Sequence, residues 1–265
     1  MGDLGYLSQQ VVNGLQLGFV YALIALGYTM VYGIIRLINF AHGDVFMVGA
    51  FVGFFTITAL VSSPLGQSSL AIALILAMVI CALLAIIIER LAYRPLRAAP
   101  RIASLITAIG VSIFLEYFTS LKFVFGPNSR SFPRPFEVAT VFQMGALNIT
   151  NIQVIIFVVA LVMLAGLQHI VYRTKMGMAM RGVSVDFDTA KLMGVNVDGV
   201  VSFTFGIGAA LAGVGGILYA IAYPQVQPFM GIMPGLKAFV AAVLGGIGII
   251  PGALLGALIM GQAEV

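Results

Sequence analysis

The stretch SSLAIALILAMVICALLAIII, Ser68–Ile88, decides the class of this chain. It runs 21 residues without a charge. A helix rising 1.5 Å per residue covers about 30 Å in that length, the thickness of a bilayer's hydrocarbon core. Apolar segments of similar length flank it on both sides. Spans are expected at 10–35, 38–61, 68–89, 103–121, 151–172, 201–222 and 237–263. Composition agrees, since 61% of the 265 residues are hydrophobic and 8% are charged. A soluble chain is about half apolar and a quarter charged. One buried core cannot absorb that excess, so lipid is the solvent. The expected fold is an all-α polytopic membrane protein of about seven helical spans, forming one transmembrane domain over 1–265.

The first ten residues carry no Lys or Arg, whereas a cleaved signal peptide starts basic. The first apolar segment therefore reads as a retained span. Cys81 is the lone cysteine, so no intrachain disulfide forms. The net charge of +4 does not point to nucleic acid, because the basic residues sit beside apolar segments. Arg36, Arg90, Arg94, Arg97, Arg101, Arg173, Lys175, Arg181 and Lys191 fall on one side of the expected spans. Lys122, Arg130, Arg134 and Lys237 fall on the other. The richer side should be cytoplasmic, which puts the N-terminus outside. Tyr6, Tyr93, Tyr172 and Tyr223 lie near span ends, where a ring with a polar tip is favoured.

The last segment holds Gly245, Gly246 and Gly248 followed by Pro251 and Gly252. Proline removes a donor and clashes with the preceding turn, so a helix break is expected there. The chain then stops at Val265 without a closing basic segment, and one or more further spans are expected beyond it. Gly43, Gly49, Ala50 and Gly53 share their spacing with Gly246, Gly252, Ala253 and Gly256, which raises the question of an internal repeat.

Neither a G-x4-G-K-[ST] phosphate loop nor a metal-binding His or Cys pattern occurs. No metal, cofactor or catalytic residue is therefore expected in this chain. The stretch from about 122 to 150 is too short for a substrate-binding domain. Energy and substrate capture must come from other chains.

Two stretches carry candidate function. Ile38-Asn39-Phe40-Ala41-His42-Gly43-Asp44 sets an amide, an imidazole and a carboxylate at the start of an apolar segment. Such groups are costly in lipid and usually face a bundle interior or cavity. Asn39, His42, Gly43 and Asp44 are candidates for a substrate path through a broken helix. The same residues also fit a polar cytoplasmic margin, with Asp44 near a helix start. The second stretch is the cytoplasmic loop at about 173–200. Asp186 is placed to cap a short helix, Asp188 lies in its first turn, and Gly194 can close it in the left-handed conformation. Such a helix can seat in a groove on a partner, or it can be a capped turn in a linker. Gly14 with Gly18, Gly49 with Gly53, Ala212 with Gly216 and Gly252 with Gly256 read as packing pairs. Glu116 and Glu89 read as interfacial.

At these stretches the chain resembles the LivH-type permeases, membrane subunits of ABC importers for branched-chain amino acids. Asn13-Gly14-Leu15, Tyr21-Ala22-Leu23, Ala25-Leu26-Gly27, Tyr32-Gly33 and the run Ile38–Asp44 resemble the family's opening. Lys191-Leu192-Met193-Gly194-Val195-Asn196 and Ala241-Ala242-Val243-Leu244-Gly245-Gly246-Ile247-Gly248 continue it. ABC importer permeases also carry an E-A-A-x3-G loop that docks on the ATPase. Here Asp188-Thr189-Ala190 is followed after three residues by Gly194, so the acid and first small residue are replaced. The resemblance implies docking through Asp188, Thr189, Ala190, Gly194 and Asn196. It also implies a second permease, two cytoplasmic ATPases that bind the ATP, an external binding protein and a bacterial inner-membrane location. Permeases for urea or short-chain amides share much of the opening. A stand-alone secondary transporter or channel would work without ATPases, and a membrane-embedded enzyme would need a nucleophile or metal pattern that the chain lacks.

Overall fold

A computed structural model describes residues 2–97, 99–144 and 147–265. Its helices are α1 (Gly2–Ile35), α2 (His42–Leu60), α3 (Ser69–Ile88), α4 (Arg101–Thr119) and α5 (Asn151–Arg173), then α6 (Lys175–Val185), α7 (Phe187–Leu192), α8 (Val197–Ala222), α9 (Ile232–Leu244) and α10 (Ile250–Glu264). Among the described residues six helices are long and apolar enough to cross a membrane: α1, α2, α3, α4, α5 and α8. The seventh expected span is interrupted, as the glycines and Pro251 imply. α9 ends at Leu244, and Gly246 and Gly248 take φ of 89° and 97° in the turn before α10. Pro251 falls in the first turn of α10, where its missing donor costs nothing.

Among the described residues the strands form two small ribbons in the connections between helices. β1 (Arg130–Ser131) pairs with β4 (Gln225–Val226), and β2 (Thr140–Met144) pairs with β3 (Leu147–Thr150), both antiparallel. Thr150 then caps α5 in a reciprocal box with Gln153. Gln153 also donates to Asn13, so the polar residue in the first span is satisfied inside the bundle.

α1, α2 and α8 form the centre, with their apolar residues largely buried. α3, α4 and α5 keep exposed apolar faces, among them Ile75, Leu83, Ile106 and Leu161, which suit lipid. Lipid offers no hydrophobic drive between helices, so close backbone approach matters more. α10 lies along α1, where Leu258 and Gly261 meet Gly18. Gly49 of α2 meets Gly213 of α8 in the same way. The four small-residue pairs are thus packing surfaces. The shared glycine spacing falls on different helix positions, since Gly43 is the second residue of α2 while Gly246 precedes α10.

Three expectations change. Tyr93 lies near the end of its span, but its ring is buried in the bundle instead of at the interface, being 2% exposed. Glu89 is fully buried and bonded. The loop at 173–200 holds two helices instead of one, because Thr174 caps α6 through the Gly177 amide.

Candidate functional site

α2 begins inside the bundle instead of at its end. Arg36 takes a positive φ of 53° after α1, and the chain turns back over Leu37–Ala41. His42 then packs against Gly27 of α1, which in turn meets Gly208 of α8. Gly27 lies eight residues before the end of α1, about 12 Å along the axis at 1.5 Å per residue. α9 begins inside the bundle from the opposite direction. After α8 reaches the ribbon at β4, the chain turns back into the bundle and starts α9 at Ile232.

The two helix starts meet. A Cβ on Gly43 would lie 2.6 Å from the Gly231 carbonyl oxygen and 3.3 Å from the Gly235 Cα. Glycine is required here because the backbones touch. Neither start has a side-chain cap. Beside the contact lies a cavity of about 160 Å³ lined by Tyr28, Phe40, Asp44, Glu116, Gly231 and Phe239, with Gly43, Ser112, Ile232, Gly235 and Leu236 completing it. Asp44 is 2% exposed and accepts a hydrogen bond from Ser112 Oγ at 2.5 Å. Neither Asp44 nor Glu116 forms an ion pair among the described residues. The site therefore combines two carboxyl groups, two uncapped helix starts and an aromatic and aliphatic wall.

Of the four expected path residues, Gly43 and Asp44 reach this cavity. Asn39 and His42 do not line it. Asn39 is buried and accepts a hydrogen bond from the Tyr93 hydroxyl at 2.8 Å. His42 stacks edge-on to Tyr28, ring centroids 4.8 Å apart, and supports the wall from behind. Glu116, read from the sequence as interfacial, faces the cavity instead. Ser112 and Glu116 lie four apart on one helix face, a spacing that marks the polar side of α4.

The short helix α7 forms as the capping pattern implies. Asp186 Oδ1 accepts from the amides of Asp188 and Thr189, both at 3.0 Å. Asp186 Oδ2 accepts from the Thr189 hydroxyl, and this bond, with the amide bonds, holds the Asp186 carboxyl below the usual carboxylate range. Gly194 takes a φ of 81° after the helix. Asn196 caps α8 through the Gly199 amide at 3.1 Å. Ala190 was expected to face a partner, but it is 8% exposed and joins the chain's own core. The outward apolar residues are Val185, Leu192 and Met193, which are 82%, 87% and 79% exposed.

Comparison with known proteins adds a third line. The model of the family described as "Branched-chain amino acid transport system / permease component" matches residues 10–265. The chain is 44% identical to the "High-affinity branched-chain amino acid transport system permease protein LivH" of Salmonella typhimurium, over 98% of this chain and 85% of that one. It is 42% identical to the corresponding protein BraD of Pseudomonas aeruginosa, over 100% of this chain and 87% of that one. A "Probable branched-chain amino acid transport permease protein LivH" of Methanocaldococcus jannaschii is 28% identical over 91% of this chain and 75% of that one. No solved structure matches the chain.

Proposed function

The chain belongs to the family of branched-chain amino acid transport permease components, and from that premise we propose that it is the membrane subunit of an ATP-driven importer that moves leucine, isoleucine and valine into a bacterial cell across its plasma membrane. It is a multi-pass membrane protein. The meeting of α2 and α9 at an acidic, apolar-walled cavity is the observation that carries the reading. A branched-chain amino acid is a zwitterion with an aliphatic side chain. The partial positive charge of an uncapped helix start favours its carboxylate. Asp44 and Glu116 suit its ammonium group, and Phe40, Phe239 and Leu236 suit its side chain.

Two broken helices also suit alternating access. A site held between half-helices can open to either side when one bundle rocks against the other. The bias between the two states comes from partners: a loaded binding protein outside and ATPases inside. A ligand of equal affinity for both states would move nothing. The residues of the 173–200 loop would face the ATPases, with Val185, Leu192 and Met193 as the contact face. A second permease subunit completes the membrane pair, and the N-terminus lies outside. The chain itself performs no catalysis and binds no nucleotide, since ATP is bound by its partners.

Substrate class separates this reading from that of an amide permease. Uptake of labelled leucine by cells carrying the complete importer should be inhibited by excess isoleucine or valine and not by urea or acetamide. Inhibition by urea or acetamide with no effect of valine would replace the substrate assignment.

A further inference from the structure

Between the segment at 187–192 and the cavity lie an ion cluster and a buried hydrogen bond, carried on one turn of chain, that the transport reading does not yet use. α3 does not stop at Ile88. It continues as a π-turn, Glu89–Tyr93, and a 3-10 turn, Arg94–Leu96. π-turns are rare and recur at functional positions. This one turns two unlike groups inward. Glu89 is 0% exposed, pairs with Arg97 and accepts from the Ser202 hydroxyl of α8 at 2.6 Å. Tyr93 packs on Phe205 of α8, ring centroids 5.5 Å apart, and donates to Asn39. Asp198, in the first turn of α8, binds both Arg94 and Arg97, the latter at 2.6 Å. Asn196, which joins α7 to α8, lies two residues before Asp198.

We infer that residues 89–97 are the coupling relay between the ATPase-docking segment and the substrate cavity, with Asp198 as the input contact and the Tyr93–Asn39 hydrogen bond as the output. The inference rests on the ATP-driven reading given above. A shift of α7 moves the start of α8. Asp198, Ser202 and Phe205 then carry residues 89–97 with them, and Tyr93 carries Asn39. Asn39 lies three residues before His42, where α2 starts, so its displacement moves Gly43 and Asp44 at the cavity. There is room for such a shift. A cavity of about 410 Å³ separates the docking segment from the turn after α1, lined by Arg36, Arg97, Ser104, Ser184, Asp186 and Phe187.

A purely structural ion cluster is the competing account. The Arg94–Asp198 pair argues against it, because both side chains are about half exposed, 50% and 46%. Exposed pairs contribute little to stability. Asp198→Asn should therefore leave folding and subunit assembly intact, while Tyr93→Phe removes a buried hydroxyl bonded to Asn39 and should lower thermal stability without abolishing assembly. They should lower leucine imported per ATP hydrolysed by about tenfold, a size typical of coupling between distant sites. Asp198→Glu should restore the ratio. The double variant should fall no further than the worse single one, because both changes cut the same chain of contacts.

The measurement is uptake and hydrolysis in proteoliposomes holding the complete importer, with thermal stability and ATPase co-elution measured alongside. Variants with an unchanged ratio, losses that multiply in the double variant, or uptake and hydrolysis falling together with assembly would each overturn the relay. Wild-type uptake that needs no ATP would instead overturn the reading on which the relay stands, so the two failures are distinct.

Discussion

Replacing Gly43 with alanine adds one methyl group where two helix starts touch. The new Cβ would lie 2.6 Å from the Gly231 carbonyl oxygen, and real Cβ atoms essentially never come within 3.0 Å of another heavy atom. α2 and α9 must part by at least 0.4 Å, and the obstacle is backbone, which cannot swing aside as a side chain would. Overpacking of this kind costs about 1–3 kcal/mol. The functional loss should be larger than the stability loss, because the separation widens the cavity wall and shifts Asp44. Gly166→Ala is the matched control. Gly166 lies in α5 with nothing within 4 Å of its added Cβ. Alanine there should be neutral or stabilising by up to about 1 kcal/mol, from helix propensity alone. The assays are denaturant unfolding in detergent and leucine uptake in cells for both variants. Wild-type stability and uptake in Gly43→Ala would show that the two helix starts are not in contact, and would remove the basis for the site.

Asp44→Asn keeps the shape and the Ser112 contact but removes the charge; uptake should drop about tenfold or more if the carboxylate holds the ammonium group, while membrane levels stay unchanged, and full uptake would assign Asp44 to packing. Leu192→Glu, at a residue 87% exposed, should leave expression unchanged and weaken co-purification of the ATPase; undiminished association would move the docking face elsewhere. The Asp186 cap has a depressed carboxyl pKa, so its contribution to α7 is complete above the unfolded carboxylate value of about 3.9 and is lost as pH falls through the lower folded value. Amide exchange at 187–192 should stay protected down to about pH 4 and rise below it, whereas loss of protection between pH 7 and 6 would contradict the cap. For orientation, Lys191→Cys in a Cys81→Ser background should resist an impermeant thiol reagent added outside intact cells, and labelling there would invert the topology.

The spans were legible because an apolar run of about 20 residues has one way to satisfy its backbone in lipid. The break near Gly245 and Pro251 was legible because proline removes a backbone donor and clashes with the preceding turn, and glycine readily turns left-handed. The short helix at 187–192 followed from its cap and closing glycine. What escaped was the direction of side chains. Glu89 and Tyr93 sit at the end of a clean apolar run, so composition places them at the interface. A π-turn changes the rotation per residue and turns both inward. Ala190 is small enough for either side of α7, and its inward turn depends on α6, which the apolar pattern did not mark. Glu116 was read singly, although Ser112 one turn earlier carried the signal. Gly231 and Gly235 were overlooked because their partner, Gly43, lies almost 190 residues away in the chain, a separation that only packing closes.

The most direct test of the account is leucine uptake into proteoliposomes containing this chain with its second permease and ATPase subunits, with the loaded binding protein outside. The account predicts accumulation that requires ATP on the ATPase side, stops without the binding protein and is absent from vesicles holding this chain alone. Leucine accumulation by this chain alone, without ATPase or ATP, would contradict it.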